Sequence, residues 1–598
     1  MTHPRLPTRY HNVDVCVVGG GLAGIAAAIS AARHGARCLI VQDRPMFGGN
    51  SSSEVRMWVS GARGPGNRET GILEEIALEN LRRNPHKNFS VWDSILYEKV
   101  RFQPGLDYLL NTSCFDAEMA EDRIHSIRCW QLTTQTFHEI QARFFIDCSG
   151  DSILAPLTGA PWRHGREGQS EYGEDIAPPA ADSRTMGSSC LIQLRETNDK
   201  RLFVAPDWAL DVTADNSRHR PADPRQQGEN FWYLELGGDR DTIADAEEIR
   251  DELQDLGWGF ANFIKNRKPW RDAMRNYDVD WIGMLPGKRE SRRYIGAHVM
   301  TQHDVRAGGR FPDIVAYGGW PMDDHHPAGY RTPAAPTIFH PAPSPFGIPW
   351  RCLYSVAVPN LLFAGRNISV THTAMSSTRV MATCALLGQA AGTGAALALR
   401  HGCDPATIGE RHITELQQAL LTDDAWLPGL TRTIPELSQT ADYVVMHAKS
   451  ATSPAVLRDG HDRPDAAASH LWTGSLGSVI EMRFSKPETI HQIRMVFDSD
   501  LERETLPAAE RRLNRSMESI YRLNQPALYL PHTLIRSWQL ELVRPDGSAT
   551  VIASEDRNSR RLVLLRPDSP WSGAVAVRLS LLESWGCREA RLFSFDVS

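Results

Sequence analysis

The chain has 598 residues, of which 41% are apolar and 23% charged, and a formal net charge of −7. That length exceeds the about 250–300 residues at which a single core stops growing, so several domains are expected. The composition is that of a soluble globular protein without the basic surplus of nucleic-acid binders, so neither nucleic acid nor an anionic membrane surface is expected as a partner.

The opening residues MTHPRLPTRYHNVD contain no apolar h-region, which sets the cytoplasm as the expected location. Ten cysteines are scattered without a CxxC pair, as reduced buried thiols are, and no zinc site or disulfide framework is expected. The run from Val13 to Val18 reads as a buried strand. It is followed by Gly19-x-Gly21-x-x-Gly24, an Ala-rich helix to about Arg33 and a second strand from Cys38 to Val41. Strand, glycines and helix together form the dinucleotide fingerprint: a tight turn at Gly19, backbone approach to a pyrophosphate at Gly21, close helix packing at Gly24. Where an acid should end the second strand to bind a ribose, the sequence has Gln42 and then Asp43.

Behind that strand comes Gly48-Gly49-Asn50, with Glu54 and Arg56 close by. Residues 125–147 alternate apolar and polar side chains like paired strands, ending in a strand at Phe144–Ile146 and the turn Asp147-Cys148-Ser149-Gly150-Asp151. The region 156–350 is rich in Trp, Pro and Gly. It carries the charge cluster Arg289, Glu290, Arg292 and Arg293 between apolar flanks, the pair His303-Asp304, and Asp323, Asp324, His325 and His326. No second half with ligand spacing accompanies the Asp and His residues, so no metal is expected and a loop on the substrate side is the preferred reading.

Leu361 to Ala364 reads as another buried strand, turning at Gly365-Arg366-Asn367. Val380 to Leu399 has the length of a membrane span and contains Gly388-x-x-x-Gly392, but its Ala, Gly, Thr and Gln389 favour a close-packed core helix. Beyond about residue 440 short alternating runs follow one another. In WQLELVRPDGS the residues Trp538, Leu540 and Leu542 share a face and Pro545-Asp546-Gly547 makes the turn, so a β-sandwich is expected.

The stretches GGGLAG, VQDRPMFGGNSSSEVRM, PGKRESRRYIG and AGRNISVTHTAMSSTRVMATCALLGQAAG, in this order, resemble the FAD-dependent oxidoreductase family common in bacterial carbohydrate-utilisation loci, over roughly residues 10–400. The resemblance implies an α/β Rossmann-type FAD-binding domain in two pieces, 1–155 and 351–440, around an inserted α+β substrate domain at 156–350. The C-terminal part, 441–598, resembles a galactose-binding-like jelly roll.

FAD is the implied cofactor. The residues implied to hold it are Gly19, Gly21, Leu22, Ala23, Gly24, Gln42, Asp43, Gly48, Gly49, Asn50, Arg56, Ser149, Gly150, Asp151, Gly365, Arg366, Ser376, Ser377 and Thr378. A helix N-terminus following the last strand would face the flavin. His372 is the expected proton acceptor, with Arg379, Arg292 and Arg293 holding a substrate oxygen.

The expected reaction is oxidation of a hydroxyl carbon of a sugar or glycoside by hydride transfer to flavin N5. A fumarate-reductase-like reduction of an activated double bond and a binding protein with a vestigial FAD domain remain as alternatives. Electron acceptor and homo-oligomerisation stay open.

Overall fold

The computed structural model describes residues 6–220, 223, 230–448, 451–465, 467–506 and 518–598. Residues 1–5, part of the opening stretch read above, lie outside it. Contacts divide the chain into two compact units: Met1–Arg63, His86–Gln417 and Leu513–Pro526 form one, and Gly64–Pro85, Gln418–Arg512 and Ala527–Ser598 the other.

The first unit is built on one sheet. β1 (Thr8–Val18), β2 (Cys38–Val41), β3 (Leu106–Leu109), β4 (Thr112–Ala120), β5 (Arg123–Gln131) and β6 (Thr136–Asp147) lie in the order β3-β2-β1-β6-β5-β4, and the strand Leu361–Phe363 also pairs with β6. β2, β3 and β6 join β1 in parallel, whereas β4, β5 and β6 form an antiparallel meander. β6 is therefore much longer than the expected Phe144–Ile146: its first half closes the meander against β5, while nearly its whole length, from Phe137 to Asp147, lies beside β1. The register sets Val18 opposite both Val41 and Asp147, so three strand ends finish together at Gly19, Gln42 and Cys148. In open parallel sheets, crevices for ligands form beyond such carboxyl ends.

Helix α1 (Leu22–Arg33) is buried along all but its last residue, as its Ala-rich sequence requires. The helix Met381–His401, apolar enough to cross a membrane, is buried through almost its whole length in this unit. Gly388 and Gly392 set the helix crossing. A Cβ on Gly388 would stand 1.9 Å from the Ala23 carbonyl oxygen, and one on Gly392 2.1 Å from that of Ala27. Ser30 and Thr393 hydroxyls hydrogen-bond across the seam at 2.6 Å. Between the two pieces of the sheet, residues 156–350 carry short strands and the helix Ala246–Asn266, an α+β arrangement.

The second unit is all-β apart from short helices around it. The strands Asp442–Met446, Ser478–Ile490, Trp571–Ser584, Ile535–Val543 and Ala549–Glu555 make one sheet; Trp472–Ser475, Glu589–Val597, Ile493–Phe497 and Leu562–Leu565 make the other. Inner residues of both, among them Trp472, Ile480, Met495, Leu579 and Phe595, share one core, giving a jelly-roll-like sandwich. The hairpin at Trp538, Leu540 and Leu542 forms as read, with Gly547 at φ 82° in its turn.

This unit begins at 418 rather than 441 and takes in residues 64–85, which the sequence reading gave to the FAD-binding part. Helix Ile72–Arg83 explains this, because Leu78 and Leu81 enter the sandwich core and the Glu74 carboxylate accepts from buried Arg503 at 2.7 Å. Conversely Ile520–Tyr521 adds a parallel strand beside Ile192–Glu196 in the first unit.

Because a methyl at position 392 would meet backbone rather than a yielding side chain, Gly392→Ala is expected to lower stability by about 1–3 kcal/mol or more. Thermal melting of the variant measures it; an unchanged Tm would remove the glycine seam as the basis of the crossing.

Candidate functional site

The crevice beyond the aligned strand ends is a cavity of about 750 Å³. Its floor is the fingerprint loop, and glycine is demanded there by contact. Gly19 has φ 104° and a Cβ on it would stand 2.5 Å from the Cys148 carbonyl carbon; one on Gly24 would stand 1.8 Å from the Gly19 carbonyl oxygen. Gly19, Gly21, Leu22 and Ala23 line the cavity, while Gly24 lies behind it as the packing contact the motif predicts.

Gly48, Gly49 and Asn50 come back against this loop and also line the cavity. The Gly48 N–H donates to the Gly20 carbonyl at 2.8 Å, Gly21 and Gly48 form a parallel bridge, and Asn50 Nδ2 donates to the Lys288 carbonyl at 3.0 Å.

Gln42 lines the cavity, with its side-chain amide engaged by the loop. Its Oε1 accepts the Gly20 N–H at 2.6 Å and its Nε2 donates to the Met46 carbonyl at 3.2 Å, so both ends of the amide clamp the loop. The neighbouring Asp43, its side chain 60% exposed on the cavity wall, is the carboxylate at this end.

Opposite, Ser149, Gly150, Asp151, Gly365 and Arg366 complete the wall. Asp147 shapes the turn by accepting from the Ser149 N–H at 2.9 Å and the Tyr294 hydroxyl at 2.6 Å. Asp151 accepts from Lys288 Nζ and Arg366 Nη2, both at 2.8 Å, and from the Ser291 hydroxyl at 2.6 Å. Burial pushes its carboxyl pKa up, but the Arg366 and Lys288 cations overcome that and hold it far below the usual range. Arg366 Nε and Arg44 Nη1 are buried N–H donors without a hydrogen-bond partner among the described residues, and both residues line the cavity. Together with the glycine cradle they suit an anionic, pyrophosphate-bearing ligand.

Several expected positions fall elsewhere. Arg56 is off the wall; its guanidinium lies over Trp281 at 4.2 Å and Phe89 at 4.9 Å and donates to Gln193. Ser376, Ser377 and Thr378 are fully buried in a separate short helix, His372–Thr378. The chain then turns extended at Val380 (ψ 143°) before the long helix begins at Met381, so Arg379, Val380 and Met381 meet the cavity and residues 376–378 lie behind them. Arg292 packs over Trp162 at 5.2 Å, and Arg293 is buried, donating to Glu167 at 3.0 Å and the Val370 carbonyl at 2.9 Å. Neither arginine lines the cavity.

His372 is likewise off the wall. Its Nδ1 lies 2.8 Å from Glu290 Oε2 and its Nε2 3.2 Å from Asp324 Oδ1, an imidazolium donating to a carboxylate at each end. Burial lowers its pKa, but the Glu290 charge and the hydrogen bonds to Asp324 and Glu290 outweigh burial and raise it to about 10.

The residues the cavity does present are in the hairpin Met322–His325 with Thr337–His340. Strand alternation sends Asp323 and His325 toward the cavity and Asp324 toward His372. His325 Nδ1 donates to Glu235 Oε2 at 2.6 Å, and its Nε2 has a longer contact to Asp323 Oδ2 at 3.4 Å. Asp323 Oδ2 also accepts from Arg379 Nη2 at 3.2 Å and the Trp320 indole at 3.3 Å. Arg289 Nη1 lies 3.3 Å from Glu235 and Nη2 donates to the Trp232 carbonyl at 3.0 Å. Trp232, Trp320 and Phe339 complete an aromatic wall, with the Arg63 guanidinium 4.3 Å over Trp320. His325 was visible in MDDHHPAGY, but nothing in the sequence pairs it with Glu235, ninety residues earlier.

Solved structures to which the chain is similar include a geranylgeranyl bacteriochlorophyll reductase-like protein from Thermoplasma acidophilum, 11% identical, covering 69% of this chain and 86% of its own (TM-score 0.30). They also include the family 32 carbohydrate-binding module from Streptococcus pneumoniae EndoD, 13% identical, covering 27% of this chain and 97% of its own (TM-score 0.20). The soluble pyridine nucleotide transhydrogenase of Chromohalobacter salexigens is 55% identical over 40 residues, 7% of this chain and 9% of that enzyme, so the chain matches under a tenth of that relative's length. A family model described as FAD dependent oxidoreductase matches residues 14–420, the span that contains the fingerprint loop, the returning Gly48-Gly49 pair and every residue of the cavity wall. The chain belongs to the FAD-dependent oxidoreductase family.

Proposed function

We propose that the enzyme oxidises a hydroxyl-bearing carbon of a carbohydrate or glycoside, with FAD as hydride acceptor, and that His325 rather than His372 takes the hydroxyl proton. Bound FAD supplies the two-electron acceptor. The loop amides at Gly21–Ala23 with Arg44 and Arg366 suit its pyrophosphate, Asp43 suits its ribose, and the N-terminus of the helix Met381–His401 suits the electron-rich end of its ring.

The observation that carries the reading is His325 on the cavity wall with the buried Glu235 carboxylate behind it. A carboxylate on Nδ1–H orients the ring, and Nε2, 3.4 Å from Asp323 Oδ2, is the atom that takes the proton, the resulting imidazolium being stabilised by both Glu235 and Asp323. Arg379, held by Asp323, and Arg289, held by Glu235, are fixed donors for a substrate oxygen. The aromatic faces of Trp232, Trp320 and Phe339 beside these polar groups suit the C–H patches and hydroxyls of a sugar ring. His372 is already protonated and enclosed by two carboxylates, so it carries no lone pair for the reaction.

A second reading is favoured by the three guanidiniums of Arg63, Arg289 and Arg379 on one wall: a fumarate-reductase-like reduction of an unsaturated acid, with Arg379 as proton donor.

Anaerobic mixing of the purified enzyme with sugars, glycosides and polyols is expected to bleach the oxidised flavin band. Bleaching by reduced nicotinamide alone, with reoxidation by an unsaturated acid, would instead establish the reductase. His325→Gln is expected to lower kcat by about 10²–10⁴-fold while the flavin stays bound, checked by steady-state rates and absorbance.

The folded pKa of His372 stands above its ordinary value of 6.5, so the folded protein holds a proton that the unfolded chain releases. Its stabilising contribution is full below pH 6.5 and is lost as pH rises through about 10. Over that window Tm of the parent should fall more steeply with pH than Tm of His372→Gln. Parallel slopes in the two proteins would contradict the buried imidazolium.

A further inference from the structure

The second unit holds a cluster of imidazoles and carboxylates on the single loop that leads from the turn Pro454–Arg458 to the strand Trp472–Ser475. Asp459, His461 and His470 each offer a ligand atom, all within 4.8 Å of one another, and all three are half-buried. Both imidazoles turn Nδ1 toward the same residue: His470 Nδ1 lies 2.7 Å from Asp459 Oδ2, and His461 Nδ1 lies 3.1 Å from the Asp459 carbonyl oxygen and 3.6 Å from Asp459 Oδ1. The rings stack at 4.1 Å between centroids, which keeps the two Nδ1 atoms on one side.

A second feature points to a metal rather than to a hydrogen-bonded loop alone. Histidines that ligate metals almost always donate the remaining ring N–H to a carboxylate or another acceptor. Here His470 Nε2 faces Asp465 Oδ2 at 3.1 Å, outside hydrogen-bond geometry, and His461 Nε2 lies 3.5 Å from the Thr431 hydroxyl. Among the described residues no Lys or Arg ion pair engages Asp459 or Asp465, whereas the intervening Asp462 is bound to Arg494 at 2.7 Å. Two carboxylates beside two imidazoles supply anionic oxygen and imidazole nitrogen donors for a dication.

We propose that Asp459, His461 and His470 bind a divalent transition ion of the zinc type, with Asp465 and Thr431 orienting the two imidazoles. Two nitrogens and a carboxylate oxygen are a ligand set for zinc, and a water would complete four-coordination. His461 and Asp465 also line a small cavity of about 140 Å³ with Trp426 and Arg463, so the ion would fix the wall of that cavity and staple a loop in which none of the described residues between 459 and 470 belongs to a helix or strand. The site lies outside the catalytic cavity and is independent of the reaction proposed above.

The test uses the full-length holoenzyme, stripped with a chelator, equilibrated with zinc sulfate and freed of excess ion, with bound metal measured by elemental analysis. The expected result is one zinc per chain and a higher Tm. His470→Ala and His461→Ala should lose that zinc and the zinc-dependent rise in Tm, with flavin bleaching by substrate unchanged. The double variant His401→Ala/His412→Ala, which breaks a second His-His-Glu group in the first unit, should keep both. Cobalt(II) added to the unmutated stripped protein should give visible bands of a four-coordinate site, which keeps the test open should the loop variants fold poorly. Absence of bound zinc and of cobalt bands in the unmutated protein would overturn the proposal, as would zinc lost from the His401→Ala/His412→Ala variant but kept in His470→Ala.

Discussion

Backbone against backbone at the ends of β1 and β6 is the constraint on which the first unit depends. Gly19 sits on the Cys148 carbonyl, Gly24 on Gly19, and Gly48 hydrogen-bonds Gly20. No side chain fits at these contacts, so the loop takes one path and its N–H groups face a single space. The same closeness recurs where Gly388 and Gly392 of the long helix meet the carbonyls of Ala23 and Ala27. The helix that presents its N-terminus to the cavity is thereby fixed against the helix that starts at the fingerprint. Two segments more than 350 residues apart in sequence are positioned by four glycines and the carbonyls they touch.

On the substrate side the organising rule is strand alternation. Asp323 and His325 face the cavity and Asp324, between them, faces inward to His372. One short strand therefore divides the charged residues into two networks. The cavity network pairs His325 and Arg289 with Glu235, and Arg379 with Asp323. The buried one encloses His372 and Arg293 among Glu290, Glu167 and Asp324. A buried charge is tolerated when it is paired and hydrogen-bonded, and His372 meets that condition at both ring nitrogens. Groups that look alike in sequence, two histidines and several arginines within one region, thus divide into a set beside the cavity and a set buried behind it.

The cofactor half of the site was legible because close approach leaves a compositional trace: glycine where no Cβ fits, a β-branched run where a strand is buried on both faces, alanine where helices touch. Gly19, Gly21, Gly48, Gly150 and Gly365 all fall on or beside the cavity for that reason. Gln42 was legible as a departure from the pattern, although its role as a clamp on the Gly20 N–H needed coordinates. The sandwich was legible from period-two alternation, but not its recruitment of residues 64–85, because one buried face of Ile72–Arg83 does not announce which core it enters.

By itself, the sequence determined the dinucleotide crevice, the α/β character of the first unit, the all-β character of the second and the close-packed nature of the helix from Met381. Each of these rests on local periodicity or on steric exclusion at a glycine, which are properties of neighbours along the chain. Only the tertiary structure decided which histidine reaches the cavity. His325, paired with Glu235, lines the cavity, whereas His372, held between Glu290 and Asp324, does not. The protonation and accessibility of an imidazole depend on charges brought within about 4 Å by folding, and that proximity has no counterpart in sequence spacing.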